Sequence, residues 1–336
     1  MSRKYQVTVL GDGGWGTALA LLNARRGNEV VLWSAFPEYA ELLKQKRENV
    51  KFLPGIKIQD SIQITSDLQQ AVRFGEILVL AVPSQFLRNI LFKLKNFDLS
   101  KKILVSVSKG IEAKTLARPS EIITAVLGNV NLVVLSGPSH AEEVARNVPT
   151  LVVAGSRNSK FAETVQDAFH DPRFRIYVQN DLVGIELGGA LKNVIAIGAG
   201  LCDGLHFGSN TKAALLTRGL LEMTQLGVRM GANPNTFFGL SGLGDLVTTC
   251  ISEYGRNRHV GRELGQGKKL KEILGGMEMV AEGVETTRSA YQLAQKHRVT
   301  AAIVSEIYKI LFEDKDPKQA MSDLMSREAH EEMKQY

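Results

Sequence analysis

The segment Gly11–Gly16 constrains this chain more than any other feature, because it reads G-x-G-x-x-G directly after the mostly apolar run Val7–Leu10. The order predicts a strand, a tight glycine turn and the start of a helix. Gly11 allows the turn, Gly13 lets the backbone approach a phosphate, and Gly16 lets the helix pack on the strand. Backbone N–H groups and the helix N-terminus then face the pyrophosphate of a dinucleotide. A glycine turn that binds nothing is the alternative.

Strand and helix patterns alternate through the first half of the chain. Apolar runs of about four to eight residues between helical patterns are typical of a parallel sheet buried on both faces. The sequence therefore predicts a doubly wound α/β domain over residues 1–180, which would bind the dinucleotide. The predicted strands are Val7–Leu10, Val30–Trp33, Ile77–Val82, Ile103–Val107, Leu132–Leu135 and Leu151–Ala154.

Longer helical patterns replace these runs after about residue 180. They predict an all-helical C-terminal domain over residues 181–336, which would bind the substrate. The predicted helices are Asp181–Leu201, Thr211–Met230, Arg258–Gly265, Gly283–His297 and Ala301–Leu311.

Charge and cysteine content exclude several classes of protein. The formal net charge is +6, but no basic run or basic patch interleaved with aromatic residues accompanies it, so we expect no nucleic-acid partner. The charge indicates either a mildly basic surface or attraction of an anionic substrate and cofactor. Cys202 and Cys250 form no C-x-x-C pair, which is typical of free thiols in a reducing compartment.

Targeting and metal signals are missing from the sequence. The first strand begins near residue 5, which leaves no room for a secretory signal, and no stretch approaches the ~18–20 apolar residues of a membrane span. We therefore expect a cytoplasmic protein without membrane insertion. The histidines show no H-x-x-x-H or H-E-x-x-H spacing, so we expect no metal site.

The end of the second strand bears on cofactor choice. An NAD enzyme usually has a carboxylate there for the ribose 2′-hydroxyl, and an arginine suits the 2′-phosphate of NADP. Trp33–Phe36 contains neither, and the next carboxylate is Glu38. Ser34 can hydrogen-bond either cofactor, which indicates weak discrimination. The alternative is that an unidentified loop binds the adenosine end.

Lys192 is the most informative polar residue of the second half. It lies in a helical pattern of mostly apolar residues, after Gly188 and Gly189. Either it extends to solvent, or it is held in a cleft with a lowered pKa, where it can exchange a proton near neutral pH. Two glycines destabilise a helix, which is tolerated where a ligand or strand must approach the backbone. Asn193 lies about 100° around the same helix.

Two further positions have competing interpretations. Asp245 follows a glycine-rich turn and either orients a lysine ammonium or caps a helix N-terminus. Arg256 and Asn257 open a helical segment, where an arginine and a helix N-terminus together suit a phosphate. A solvated surface arginine is the alternative for Arg256.

Six segments, in this order, resemble the bacterial-type NAD(P)-dependent glycerol-3-phosphate dehydrogenases over nearly the whole chain. The family fold is a Rossmann-like domain followed by a helical one, in agreement with the prediction above. The segments are GDGGWGTALA (11–20), SKGI (108–111), SGPS (136–139), LGGALKNVIAIGAG (187–200), GLGDLVTTC (242–250) and GRN (255–257).

The resemblance implies an oxidoreductase that reduces dihydroxyacetone phosphate with NADH or NADPH to sn-glycerol 3-phosphate, for glycerophospholipid synthesis, and it implies roles for individual residues. Lys192 corresponds to the catalytic acid–base residue. The implied substrate-binding residues are Lys109, Gly137, Ser139, Lys192, Asn193, Asp245, Thr249, Gly255, Arg256 and Asn257. The implied cofactor-binding residues are Gly11, Gly13, Gly14, Trp15, Gly16, Ala35, Lys109, Ala141, Arg256, Val280 and Glu282. A homodimer is expected.

The chain departs from the family pattern at three of these positions. The family often has serine at Gly14 and at Gly255, and histidine or arginine at Ala35. The last difference argues against a strong preference for NADP. Two other functions remain as alternatives: a related two-domain dehydrogenase acting on a 3-hydroxy acid, and a dinucleotide sensor without catalysis.

Overall fold

The computed structural model describes residues 3–277 and 279–328. The strands are β1 (Gln6–Leu10), β2 (Glu29–Trp33), β3 (Glu48–Asn49), β4 (Leu53–Lys57), β5 (Ile62–Thr65), β6 (Ile77–Leu80), β7 (Ile103–Ser106), β8 (Asn131–Ser136), β9 (Thr150–Gly155) and β10 (Phe174–Gln179). The helices are α1 (Gly14–Arg25), α2 (Pro37–Lys46), α3 (Leu68–Phe74), α4 (Ser84–Leu94), α5 (Pro119–Leu127), α6 (Ala141–Ala145), α7 (Ser159–Phe169), α8 (Leu182–Gly204), α9 (Ser209–Arg229), α10 (Asp245–Ile251), α11 (Arg256–Gly265), α12 (Leu270–Gly275), α13 (Glu282–Lys296), α14 (Ala302–Phe312) and α15 (Pro317–Met325). A 3-10 helix (Pro234–Phe238) and a π-helical segment (Leu240–Gly244) lie between α9 and α10.

One eight-stranded sheet forms the centre of the N-terminal region, in the order β10-β9-β8-β7-β6-β1-β2-β5. The expected doubly wound domain is confirmed, and each of the six predicted strands is present. Neighbouring strands are parallel except for β8 and β9, which pair antiparallel. An apolar run indicates burial on both faces but not strand direction, so the sequence could not predict this reversal.

The strand order reverses beside β1. The chain proceeds from β1 to β2 on one side, then crosses to β6 on the other. In sheets of this kind, ligands bind at the carboxyl ends of the strands where the order reverses. The glycine turn follows β1 at this point.

Four strands were not predicted. β3 and β4 form a short antiparallel hairpin, β5 extends the sheet beyond β2, and β10 forms its other edge. β4 contains the sequence LPGIK, whose proline and glycine weaken a strand signal.

The chain separates into two compact units. The first comprises the chain up to Ser108 together with Pro119–Leu182, and the second comprises Lys109–Arg118 and the chain from Val183 onward. The boundary predicted at residue 180 assigns the segment Lys109–Arg118 to the N-terminal domain, whereas the structure groups this segment with the second unit. Ile111 is fully buried in that unit's hydrophobic core, and Arg118 forms a buried ion pair with Glu186 of α8.

The second unit is built on α8, which is apolar on nearly all sides. The expectation that no stretch approaches the length of a membrane span is wrong for α8. Among the described residues, it is the one helix long and apolar enough to cross a membrane, but 94% of its most apolar window is buried inside the protein. It is therefore a core helix. Its side chains form one cluster with residues of α9, α11, α13 and α14.

Candidate active site

The glycine turn has the geometry that its motif predicts. Gly11 has a φ of +122°, and a Cβ at this position would collide with the carbonyl of Ala81. A Cβ at Gly16 would collide with the carbonyl of Gly11, so α1 packs directly on the turn. At Gly13, in contrast, a Cβ would have no heavy atom within 4 Å. The second glycine thus borders open space, as backbone approach to a phosphate requires.

The hairpin of β3 and β4 contacts the turn, which the sequence analysis missed. A Cβ at Gly14 would lie 2.6 Å from the carbonyl oxygen of Phe52 and 3.6 Å from the Cβ of Ala141. Gly14 therefore permits a close backbone approach, so its difference from the family's frequent serine has a steric reason here. Ala141 begins α6 and lies against the turn.

Asn49 fixes the turn from the same hairpin. Its buried amide donates to the carbonyl of Asp12 at 2.7 Å and to the hydroxyl of Thr17 at 2.7 Å. Its own oxygen accepts from the Tyr39 hydroxyl at 2.6 Å. The contacts to Asp12 and Thr17 connect Asn49 with residues more than thirty positions earlier in the chain, so no local pattern in the sequence predicts them.

The remaining N-terminal candidates lie in the same unit. The Trp15 Nε1 is buried with no hydrogen-bond partner in the described part of the chain, and Ala35 is exposed just after β2. Gly137 has a φ of +135° and follows β8. The Ser139 hydroxyl donates to the Gly137 carbonyl at 2.9 Å, which tightens this loop.

Asp245 is the centre of the polar cluster in the second unit. Its Oδ1 accepts from the Lys192 Nζ at 3.0 Å, and its Oδ2 accepts from the Lys109 Nζ at 2.7 Å. The Lys192 Nζ also donates to the Thr249 hydroxyl at 2.6 Å. Lys192 comes from α8, Asp245 and Thr249 from α10, and Lys109 from the segment that joins this unit. Asp245 therefore orients two ammonium groups, and Gly244 occupies the cap position of α10 instead.

Burial determines the charge state of this cluster. Lys192 is only 6% exposed, which excludes extension to solvent, and burial lowers its pKa to about 8 against the opposing effect of Asp245. Burial alone would raise the pKa of Asp245, but the ammonium groups of Lys109 and Lys192 outweigh it and lower the pKa. The result is a carboxylate beside a lysine that exchanges its proton close to neutral pH.

Asparagine side chains extend the cluster to α11 and α13. Asn193 donates to the Lys109 carbonyl at 2.9 Å, and Asn257 donates to the Asn193 Oδ1 at 2.9 Å. The Asn257 Oδ1 accepts from the backbone N–H of Gly283 at 2.9 Å. Gly283 is a position that the sequence analysis missed as part of this network. A Cβ there would lie 2.7 Å from the Asn257 Oδ1, so only glycine fits without displacing the amide.

Three of the cofactor candidates lie near the start of α13. The Arg256 side chain is exposed and donates to the Val280 carbonyl at 2.9 Å. Glu282 is the first residue of α13. Gly255 is buried at the cap position of α11, directly before Arg256. Arg256 is therefore attached to the loop before α13 rather than being merely solvated.

The first of the paired glycines of α8, Gly188, has a different role from the one expected. A Cβ at Gly188 would collide with the carbonyl of Ser241, in the π-helical segment before α10. A neighbouring helical backbone, not a ligand or a strand, is what approaches α8. This close packing brings α10, and with it Asp245, to Lys192.

The structure thus collects the predicted residues into two groups, one in each unit. The glycine turn, Ala35, Gly137, Ser139 and Ala141 belong to the first unit, and the remainder belong to the second. Within residues 3–277 and 279–328, no group of three or more His, Cys, Asp or Glu side chains is placed to hold a metal ion.

Comparison with known proteins identifies the family. The N-terminal profile of NAD-dependent glycerol-3-phosphate dehydrogenase matches residues 6–162, and the C-terminal profile of the same family matches residues 181–322. A curated relative named glycerol-3-phosphate dehydrogenase [NAD(P)+], from Chlorobium phaeobacteroides (strain BS1), is 49% identical over 98% of this chain and 99% of its own length. A relative of the same name from Thermoanaerobacter sp. (strain X514) is 51% identical over 98% and 99% of the two chains.

A solved structure extends the similarity to the fold. The crystal structure of glycerol-3-phosphate dehydrogenase from Coxiella burnetii superposes with a TM-score of 0.93 at 38% identity, covering 96% of this chain and 99% of the other. The resemblance carried by the six motifs is therefore confirmed, and the chain belongs to the NAD-dependent glycerol-3-phosphate dehydrogenase family.

Proposed function

We propose that the protein catalyses reversible hydride transfer between NAD(P)H and dihydroxyacetone phosphate, giving sn-glycerol 3-phosphate. It is an NAD(P)-dependent oxidoreductase of the family identified above. The observation that carries the proposal is the buried Lys192, whose ammonium is held by Asp245 and Thr249. A dinucleotide sensor without catalysis would not need this arrangement.

The glycine turn fits the pyrophosphate of the cofactor. It combines open space at Gly13, the N-terminus of the twelve-residue α1 and the buried indole N–H of Trp15, which has no hydrogen-bond partner among the described residues. When bound, the reduced cofactor supplies the hydride that the carbonyl carbon of the substrate takes up. The residues proposed to hold the cofactor are Gly11, Gly13, Gly14, Trp15, Gly16, Ala35, Lys109, Ala141, Arg256, Val280 and Glu282.

Lys192 supplies the proton during reduction. As negative charge develops on the carbonyl oxygen, the ammonium stabilises it and then donates its proton. With a pKa of about 8, Lys192 is mostly protonated at pH 7 and still acidic enough to give the proton up. In the reverse reaction its neutral amine accepts the hydroxyl proton. Asp245 and Thr249 hold Nζ in place throughout, because both contact it directly.

Arg256 binds the substrate phosphate. It stands at the first position of the ten-residue α11, where the backbone N–H groups and the guanidinium both favour an anion. Binding energy from the phosphate then helps to fix the carbonyl for reaction. Asn257 acts indirectly, since its amide is already bonded to Asn193 and Gly283. Gly137, Ser139, Gly255 and Lys109 complete the proposed substrate-binding set.

We also infer the setting in which the enzyme works. Residues 1–180 serve as the dinucleotide-binding domain and residues 181–336 as the helical substrate-binding domain. The enzyme acts as a cytoplasmic homodimer, without nucleic acid or membrane insertion, and its product enters glycerophospholipid synthesis. The buried position of α8 supports the absence of a membrane span at that helix.

The direct test follows reduced-nicotinamide absorbance after the purified protein is mixed with dihydroxyacetone phosphate and either NADH or NADPH. We expect oxidation of at least one cofactor. Dihydroxyacetone without its phosphate is the matched control and should react far more slowly, because it cannot use the phosphate contacts. No oxidation with either cofactor would favour the sensor, and activity only with a 3-oxo acid would favour the related dehydrogenase.

A further inference from the structure

Asp12 is a buried carboxylate that the mechanism does not use. It lies in the glycine turn between Gly11 and Gly13, and it is 8% exposed. Its Oδ2 has no hydrogen-bond partner among the described residues. Its backbone carbonyl, in contrast, is bound by the amide of Asn49, so the residue is fixed in position. A buried carboxylate oxygen without a partner destabilises the folded state, which is tolerated where a ligand completes the bonding.

The position of Asp12 is set by the pairing of β1 with β2. Leu10 pairs with Trp33, and the Gly11 N–H donates to the Trp33 carbonyl at 3.1 Å. One residue further along each strand, Gly11 lies opposite Ser34, and Asp12 follows Gly11. The Asp12 carboxylate lies within hydrogen-bond reach of the Ser34 hydroxyl. Burial raises the pKa of the Asp12 carboxyl, and the adjacent Ser34 hydroxyl partly opposes that rise.

This place is where a dinucleotide fold receives the ribose of the adenosine. The usual acceptor for the ribose 2′-hydroxyl is a carboxylate at the end of β2. Trp33–Phe36 has no carboxylate, and the Ser34 hydroxyl already donates to the Phe36 carbonyl at 3.1 Å and accepts from the Phe36 N–H at 3.2 Å. Ser34 is therefore poorly placed for the role that the sequence assigned to it. The carboxylate beside Ser34 is that of Asp12, in the turn that follows β1.

We propose that Asp12 selects NADH over NADPH by accepting a hydrogen bond from the ribose 2′-hydroxyl and repelling a 2′-phosphate. An ionised carboxylate is only an acceptor, so it suits a hydroxyl donor and opposes a phosphate dianion. Burial strengthens that repulsion because the local dielectric constant is lower than that of water. The inference rests on the proposed function, since it concerns the cofactor of the same reaction.

Two substitutions distinguish the effect of the Asp12 acceptor oxygen from the effect of its negative charge. Asp12→Asn keeps an acceptor oxygen and removes the charge, so NADPH should bind more tightly while NADH changes little. Asp12→Ala removes both, so NADPH should gain and NADH should lose affinity. The matched control is Glu38→Gln, which removes the next carboxylate along the chain, an exposed residue in the first turn of α2. Circular dichroism melts confirm that each variant is folded.

The measurement is calorimetric titration of the substrate-free protein with NADH and with NADPH. We expect the wild type to bind NADH at least about tenfold more tightly, the scale of one good hydrogen bond to a charged group, and both Asp12 variants to narrow that ratio to about threefold or less. Glu38→Gln should leave the ratio unchanged. Equal or tighter wild-type binding of NADPH would overturn the inference, as would a ratio that responds to Glu38 and not to Asp12. If the folded wild type binds neither cofactor, the proposed function itself fails.

Discussion

At the scale of single residues, the chemistry depends on the Lys192 amine. Replacing it with alanine should lower kcat by about 100-fold or more, the scale of one lost acid–base group. Steady-state kinetics would measure this, with NADH affinity by titration expected to stay near the wild-type value. The control is Lys296→Ala, an exposed lysine of α13. Near-normal turnover of Lys192→Ala would assign the proton transfer to another group.

The second prediction at this scale concerns Asp245 and the direction in which the pH dependence of kcat shifts when it is replaced. Reduction requires the Lys192 ammonium, so its rate is full below the Lys192 pKa of about 8 and falls as the pH rises through it. Asp245 raises that pKa and the Lys109 charge lowers it. Asp245→Asn should therefore move the falling limb to lower pH, and Lys109→Met should move it to higher pH. A pH profile of kcat at saturating substrate tests both, and a limb that neither substitution moves would belong to a different group.

At the scale of secondary-structure elements, α8 and α11 meet at two glycines. A Cβ at Gly200 would collide with the carbonyl of Arg258, and a Cβ at Gly261 would collide with the carbonyl of Ile197. The same pair of helices carries the Asn193–Asn257 hydrogen bond, so any added separation there also disturbs the polar cluster.

Gly200→Ala should therefore lower both stability and activity. Overpacking of this kind costs about 1–3 kcal/mol, which urea denaturation would measure, and kcat/KM should fall with it. Gly275→Ala is the matched control, because a Cβ at Gly275, the last residue of α12, has no heavy atom within 4 Å. If Gly200→Ala were as stable as the control, the two helices would approach less closely than the structure shows.

Prediction from sequence succeeded for elements whose signals are local. The glycine turn follows a strand and opens a helix, and the long apolar period of α8 marks a core helix, so both were predicted near their observed bounds. The hairpin of β3 and β4 was missed because Asn49 and Phe52 act on residues more than thirty positions earlier. Gly188 and Gly189 were recognised as unusual, but the backbone of Ser241 that approaches Gly188 depends on packing that no local pattern encodes.

At the scale of the whole molecule, the segment Lys109–Arg118 shows a further limit of sequence patterns. It follows β7 directly, so its place in the chain suggests the N-terminal domain. Its apolar Ile111 and its Arg118–Glu186 ion pair instead place it in the second unit, where Lys109 meets Asp245. Motif matching predicted a functional role for Lys109, but only the packing explains how its side chain reaches Asp245 and the cluster around Lys192.

The salt dependence of the reaction distinguishes the two interpretations of the protein's net positive charge. A formal charge of +6 should attract an anionic substrate, whereas a merely basic surface would not affect catalysis. Screening is strong once the Debye length falls to about 10 Å at 0.1 M salt. With cofactor saturating, kcat/KM for dihydroxyacetone phosphate should therefore fall about threefold or more between 0.02 and 0.2 M NaCl, while kcat stays constant. Arg256→Gln should weaken this dependence, and Arg3→Gln, which removes an exposed arginine paired with Glu76, should not. A salt-independent kcat/KM in the wild type would support the merely basic surface, because attraction without a screening effect is not electrostatic.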